Sequence, residues 1–149
     1  MTRAPEDAGV YVFLFDLPVP VTIRIGALGP ASLPAGRYAY VGSARRGLAA
    51  RLARHTRRRK PRRWHLDYLS GVAAPVGAIA WSWRCRRECR LAEALAATGL
   101  GHQAIPRFGA SDCGCAGHLF VLSERAPESV AKRLAQRIRA KPIAVWQYR

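Results

Sequence analysis

The stretch Gly9–Phe15, GVYVFLF, is built almost wholly from β-branched and aromatic residues and reads as a buried strand, which Pro18 and Pro20 then close. Alternation of apolar and polar residues from Val21 to Ile25 predicts a second strand. GPASLPAG is turn chemistry, and RYAYVG predicts a third strand that stops at Gly42. Ser43 stands at the N-cap position of a helix running through ARRGLAARLARHTRRR. Leu48 and Leu52 recur at helical spacing toward a core, while Arg51, Arg54 and Arg58 share another side. Pro61 breaks the pattern, and WHLDYL reads as a short helix. PVGAIAWSW predicts a fourth strand, RRECRLAEALAATG a helix ending at Gly99, and GHLFVLS a fifth strand. Pro127 opens an amphipathic basic helix, PESVAKRLAQRIRA, and PIAVWQY suits a last strand. With no repeat, linker or low-complexity stretch, residues 1–149 form one α+β domain with strands and helices intermixed.

Half of the chain is apolar, enough for one core without staples. No apolar run approaches the roughly 20 residues of a membrane span, and the mixed charge of MTRAPEDAG is not that of a signal peptide. The expected setting is soluble and cytoplasmic, with no membrane partner. Charge is the dominant compositional fact: 25 Lys+Arg stand against 9 Asp+Glu, a net +16. Between Leu17 and Leu66 there is not one carboxylate. An arginine-rich composition can follow from genome bias, but a missing acidic complement does not. Such a field concentrates polyanions, so nucleic acid is the favoured partner, ahead of acidic membranes or proteins.

The ordered set GVYVFLF, YAYVGSA, RLARH, WHLDYL, the EC pair and FGASDCGCAGHLF resembles the GIY-YIG nuclease superfamily. Within it, the set is most similar to a poorly characterised family whose domains occur alone or fused to endonuclease III-like repair proteins. The resemblance runs from Gly9 to about Leu122. It implies a small, mostly antiparallel central sheet flanked by helices. It also implies metal-dependent endonuclease action on DNA, in preference to RNA, in a repair-related setting. The segment VTIRIGALGPASLPAG, WHLDYL and SDCGCAGH depart from the compact superfamily core. A non-catalytic DNA- or RNA-binding module is therefore the alternative.

Phosphodiester hydrolysis needs a nucleophilic water, a divalent metal and a cation for charge developing on the phosphoryl oxygens. The resemblance implies that Tyr11 orients or deprotonates the water and that Tyr40 holds phosphate or water. It puts Arg51 on the phosphoryl oxygens and Glu88 on Mg²⁺ or Mn²⁺, with His55 in the catalytic set. Each residue has a plainer reading: core tyrosines, one more solvated arginine, a surface ion pair at Glu88. Glu93 is the competing carboxylate, on a different helix face. Gly42 lets the chain turn tightly beside the site. His65 and Asp67 either orient one another near the phosphate, or cap a turn and pair with an arginine. Trp64 stacks on an unpaired base or fills the core. Arg45, Arg46, Arg54, Arg57, Arg58, Arg59, Lys60, Arg62 and Arg63, with His65, are assigned to sequence-blind nucleic-acid contacts.

Cys85, Cys89, Cys113 and Cys115 carry no secretory context, so a disulfide framework is not expected. Cys89, Cys113, Cys115 and His118 make a candidate set for structural Zn²⁺. Their spacing departs from common zinc modules, so packed free thiols are the expected state and zinc the alternative. Asp112, in the glycine-rich turn, suits a loop near the cleft.

Overall fold

The computed structural model describes residues 8–82, 88–110, 113–123 and 126–148. Along the chain run β1 (Gly9–Leu17), β2 (Val21–Arg24), β3 (Pro30–Leu33), β4 (Gly36–Ala44) and α1 (Leu48–Thr56). They are followed by β5 (Ala74–Ser82), α2 (Glu88–Ala97), β6 (Gly101–Gln103), β7 (Leu119–Leu122), α3 (Pro127–Ile138) and β8 (Ala144–Gln147). Short 3₁₀ helices occupy Gly26–Leu28 and His65–Leu69. Six strands form one sheet in the order β6-β7-β4-β1-β5-β8, every neighbouring pair antiparallel, and β2 with β3 makes a separate ribbon. The fold is α+β.

The continuous apolar run of β1 follows from its inner position. Successive side chains of a strand point to opposite faces, and here both faces are covered. Val10, Val12 and Leu14 join Ala39, Val41, Ile79 and Trp81 on one face, under Leu91 and Leu95 of α2 and Val130 and Leu134 of α3. Tyr11, Phe13 and Phe15 join Tyr38 and Tyr40 on the other. That second face is covered by Leu48 and Leu52 of α1, Leu66 and Leu69 of the second 3₁₀ helix, and Ile25 and Leu33 beside the β2–β3 ribbon. The face bearing Tyr11 and Tyr40 carries the candidate site, and the ribbon is formed by the segment VTIRIGALGPASLPAG.

Several boundaries differ from the sequence reading. Strand β4 does not stop at Gly42 but pairs with β1 through Ala44, so Ser43 is a strand residue and not a helix cap. Gly47 is the N-cap, in the left-handed region at φ 67, where glycine carries no Cβ penalty. The stretch read as turn contributes β3, and β6 is a further strand of three residues. Helix α1 ends at Thr56, so Arg58 does not share its face with Arg51 and Arg54. Helix α3 does open on Pro127, and the tail strand is β8. Cys85 and Asp112 lie outside the described residues.

Gly42 opposes Tyr11 in the β1–β4 register, and no tight turn is found there. A Cβ at position 42 would collide with the Oη and Cζ of Tyr11. The glycine is needed because the Tyr11 ring crosses its neighbour strand. Gly42→Ala is therefore expected to cost about 1–3 kcal/mol, the usual price of overpacking. Urea denaturation checks this, and an unchanged midpoint would contradict the packing account.

Candidate active site

Four separate elements bring side chains to one cleft of about 230 Å³. Strand β1 supplies Tyr11, β4 supplies Tyr40 and Ser43, α1 supplies Arg51 and His55, and α2 supplies Glu88, while Trp64 and Gly109 complete the wall. Local pattern explains each placement. Tyr11 and Tyr40 lie on the same sheet face, with ring centroids 6.5 Å apart. Leu48, Leu52 and His55 follow the buried stripe of α1 at i, i+4 and i+7, which puts His55 under the sheet and leaves Arg51 at the rim.

The Tyr11 hydroxyl and Nε2 of His55 form a buried hydrogen bond of 2.7 Å, the donor depending on the histidine tautomer. Nδ1 of His55 has no hydrogen-bond partner among the described residues. Burial lowers the His55 pKa to about 3, helped by the positive charge of Lys60, so the ring is neutral at ordinary pH. Burial also raises the Tyr11 pKa well above its usual value. Tyr40 adds to this, and the Arg51 charge opposes it. Tyr40 is raised in the same way, chiefly by burial. Both tyrosines are thus phenols at rest, and nearby positive charge is what brings Tyr11 closer to ionising.

Arg51 donates from Nη1 to the Ser43 carbonyl at 2.6 Å, and its guanidinium carbon lies 4.6 Å from the Trp64 ring centroid. Arg54 lies over the same indole at 4.4 Å. Ser43 Oγ donates to Oε1 of Glu88 at 2.6 Å. Oε2 of Glu88 sits 2.7 Å from Nδ1 of His118, a close ion-pair contact not aligned as a hydrogen bond. Glu88 is thereby fixed at the mouth of the cleft, its side chain still 28% exposed. A single partly exposed carboxylate is the donor set of a hard ion that keeps most of its waters, so Glu88 fits Mg²⁺ or Mn²⁺. Glu93 is exposed on another face of α2, beside Arg90 and Arg137.

The remaining candidates separate into two groups. Asp67 is buried and accepts from Arg54 through Nη1 at 2.9 Å and Nη2 at 3.1 Å, and from the N–H groups of Arg63 and Trp64. Of its two sequence readings, pairing with an arginine is the one found. Burial pushes the Asp67 pKa up, but these donors together hold it below the usual carboxylate value. His65 accepts from the Gly109 N–H at 2.7 Å through Nδ1, bringing the 104–110 segment against the cleft. Lys60 is half-buried, donates to the Arg54 carbonyl, and has its pKa lowered to about 8, chiefly by burial. Arg45, Arg46, Arg57, Arg58, Arg59, Arg62 and Arg63 are exposed, in the segments that flank α1 and precede the second 3₁₀ helix. Among them Arg58 reaches the Gly71 carbonyl, and Arg62 lies 5.3 Å over the Tyr68 ring. Sequence reasoning missed the roles of Ser43 and Gly109, whose partners lie more than 40 residues away.

The neutral His55 sets an acid limit on stability. Its folded pKa is below its unfolded one, near 6.5, so the unfolded chain takes up a proton first and stability falls as pH drops from about 6.5 toward 3. Asp67 acts in a lower window. Its contribution is intact above its unfolded value of 3.8 and is lost only as pH falls through its lower folded value. Between pH 6 and 4, His55→Phe is expected to flatten the fall by up to about 1.4 kcal/mol per pH unit. Urea midpoints of both proteins at several pH values check this, and parallel curves would contradict it.

A family model described as Domain of unknown function DUF123 matches residues 10–140. No curated protein and no solved structure matches the chain.

Proposed function

We propose that this chain, which belongs to the DUF123 family, is a metal-dependent endonuclease of the GIY-YIG type that hydrolyses phosphodiester bonds in DNA. The observation that carries the reading is convergence. Tyr11, Tyr40, Arg51 and Glu88, the positions matching the superfamily motifs, line one cleft although they come from four different elements. The exposed arginines of the 45–63 stretch and the net charge of +16 support a polyanionic substrate.

In this reading Glu88 holds the divalent ion, which when bound supplies Lewis acidity toward the phosphoryl oxygen. Ser43 and His118 keep the carboxylate from swinging away. Arg51, anchored on the Ser43 carbonyl, presents a planar fork to the phosphoryl oxygens and offsets their growing charge. Tyr11 orients the attacking water, and its hydrogen bond to neutral His55 fixes the direction of the hydroxyl. Arg51 is the cation nearest the role of easing a proton from Tyr11, because its charge already lowers that pKa. Tyr40 lies beside Tyr11 to hold phosphate or water. The exposed arginines add affinity without reading sequence.

The test is cleavage of labelled single-stranded, duplex, flapped and four-way DNA, with RNA alongside, in Mg²⁺ or Mn²⁺ and in EDTA. Cutting of at least one DNA form, abolished by EDTA, is expected. Tight, salt-dependent binding with no cutting under either metal would overturn the reading in favour of a binding module. The engagement of both Glu88 oxygens by Ser43 and His118 is the observation that favours that second reading.

A further inference from the structure

His118 is fully buried between two functions that the cleft alone does not explain. Nδ1 faces Glu88, whereas Nε2 faces Cys113 Sγ at 3.8 Å. Cys89, in the first turn of α2, and Cys115 complete a group whose ligand atoms all lie within 4.8 Å of one another. We propose that Cys89, Cys113, Cys115 and His118 bind one zinc ion, and that this ion, through His118, holds Glu88 in place. The metal site stands apart from the nuclease reading. Only its consequence for Glu88 rests on that reading.

Geometry and donor chemistry both point to zinc. Bond lengths of about 2.3 Å to sulfur and 2.0–2.1 Å to nitrogen give a tetrahedron with edges of about 3.6–3.8 Å. The four atoms therefore need to close by about 1 Å at most from their present separations. Three thiolates and an imidazole with no carboxylate among them select a soft or borderline ion over Mg²⁺ or Mn²⁺. Two classes of ion are thus sorted to adjacent sites, a soft one on the cysteines and a hard one on Glu88. Four protein ligands leave no open position, which is the structural kind of zinc site.

The ligands sit on a braced frame. Arg107, itself at φ 66, donates through Nη1 to the carbonyls of Cys113 and Cys115, both at 2.7 Å. The His118 N–H donates to the Phe108 carbonyl at 2.7 Å, and its carbonyl accepts from Val41 of β4 at 2.9 Å. These contacts fix the backbone of three ligands without any ion. With Nε2 on the metal, the ring proton must reside on Nδ1, facing Oε2 of Glu88. A metal-bound histidine that passes its other N–H to a carboxylate is the usual outer-shell arrangement of zinc sites. Here the carboxylate is the one at the cleft, 2.7 Å from Nδ1, and seating the ion has to turn the ring into line with it.

The test is elemental analysis of the full chain purified under reducing conditions without chelator. It is paired with Co²⁺ titration of the protein after zinc has been stripped. One zinc per chain is expected, together with an intense thiolate-to-cobalt absorption that zinc bleaches. Cys115→Ser and His118→Asn should each lower the zinc content several-fold. The cobalt titration of the wild-type chain needs neither variant to fold. Background zinc with no thiolate–cobalt band would overturn the proposal, as would full zinc occupancy in both variants. Zinc bound without any DNA cleavage would sink the nuclease reading and leave this site standing. Undiminished cleavage by the zinc-stripped chain would overturn the ion's hold on Glu88 and leave the nuclease reading standing.

Discussion

Glu88→Ala is expected to lower DNA cleavage by about a thousandfold or more while leaving DNA affinity unweakened. Loss of one preorganised electrostatic group from a phosphoryl or acyl transfer site typically costs about 10²–10³ in rate. Glu88 exceeds that because it is the only carboxylate lining the cleft among the described residues, so none of them can take over the ion. Binding, in the proposed reading, comes from the exposed arginines, and removing a negative charge beside a phosphate should not reduce it. Glu93→Ala serves as the control, because that carboxylate is exposed on another face of the same helix and should cut normally. Because Glu88 also receives the Ser43 hydroxyl, its loss also disturbs β4. Glu88→Gln separates the two: it keeps the hydrogen bond from Ser43 and the side-chain shape but loses the anionic ligand, and should be nearly as inactive. Cleavage by Glu88→Gln at the wild-type rate would assign the residue to structure alone. Arg51→Lys should cost about a hundredfold by the same logic, since a point charge does not replace a bidentate fork.

Much of this site was legible because the strands and helices that carry it are long and strongly patterned. GVYVFLF places Tyr11 on a buried strand by composition alone, and the leucines of LAARL place Arg51 opposite the core. Glu88 and Glu93 differ by five positions on one helix, which is a large rotation about its axis, so only one can reach the cleft. Sequence order could not say which. What stayed hidden depends on pairing between distant segments. Ser43 looks like a cap because serine before a helical pattern usually is one, but the β1 ladder extends past it, and its partner stands 45 residues away. Strand β6 has only three residues and no periodicity to read. Strand β3 is written in turn residues, and it becomes a strand only by pairing with β2. Gly42 was legible as a special position, but its reason, a tyrosine ring lying across the neighbouring strand, exists only in the assembled sheet.

Asp67→Ala is expected to destabilise the fold by about 3–5 kcal/mol, the largest stability effect of any single change near the cleft. The carboxylate has no exposed surface and takes four hydrogen bonds, two from the Arg54 guanidinium and two from the backbone at Arg63 and Trp64. Its removal leaves a largely buried guanidinium uncompensated, with Arg51 over the same indole and Lys60 on the Arg54 carbonyl. Small domains hold only about 5–15 kcal/mol in total, so this variant stands near the limit of folding. Asp67→Asn should cost less, because an amide oxygen still accepts from the backbone though the charge is gone. A double change makes the cause explicit. Arg54→Met removes the orphaned charge, so adding it to Asp67→Ala should recover part of the loss, with a coupling energy of at least about 1 kcal/mol. Urea denaturation of the four proteins gives this cycle directly. A single-variant cost below about 1 kcal/mol would reduce the pair to an ordinary surface ion pair. It would then follow that Trp64 and the cleft wall are held by packing alone. If the cost is as large as expected, the arginine-rich helix depends on the buried Asp67 carboxylate to keep so much positive charge together, and Arg54 serves the fold.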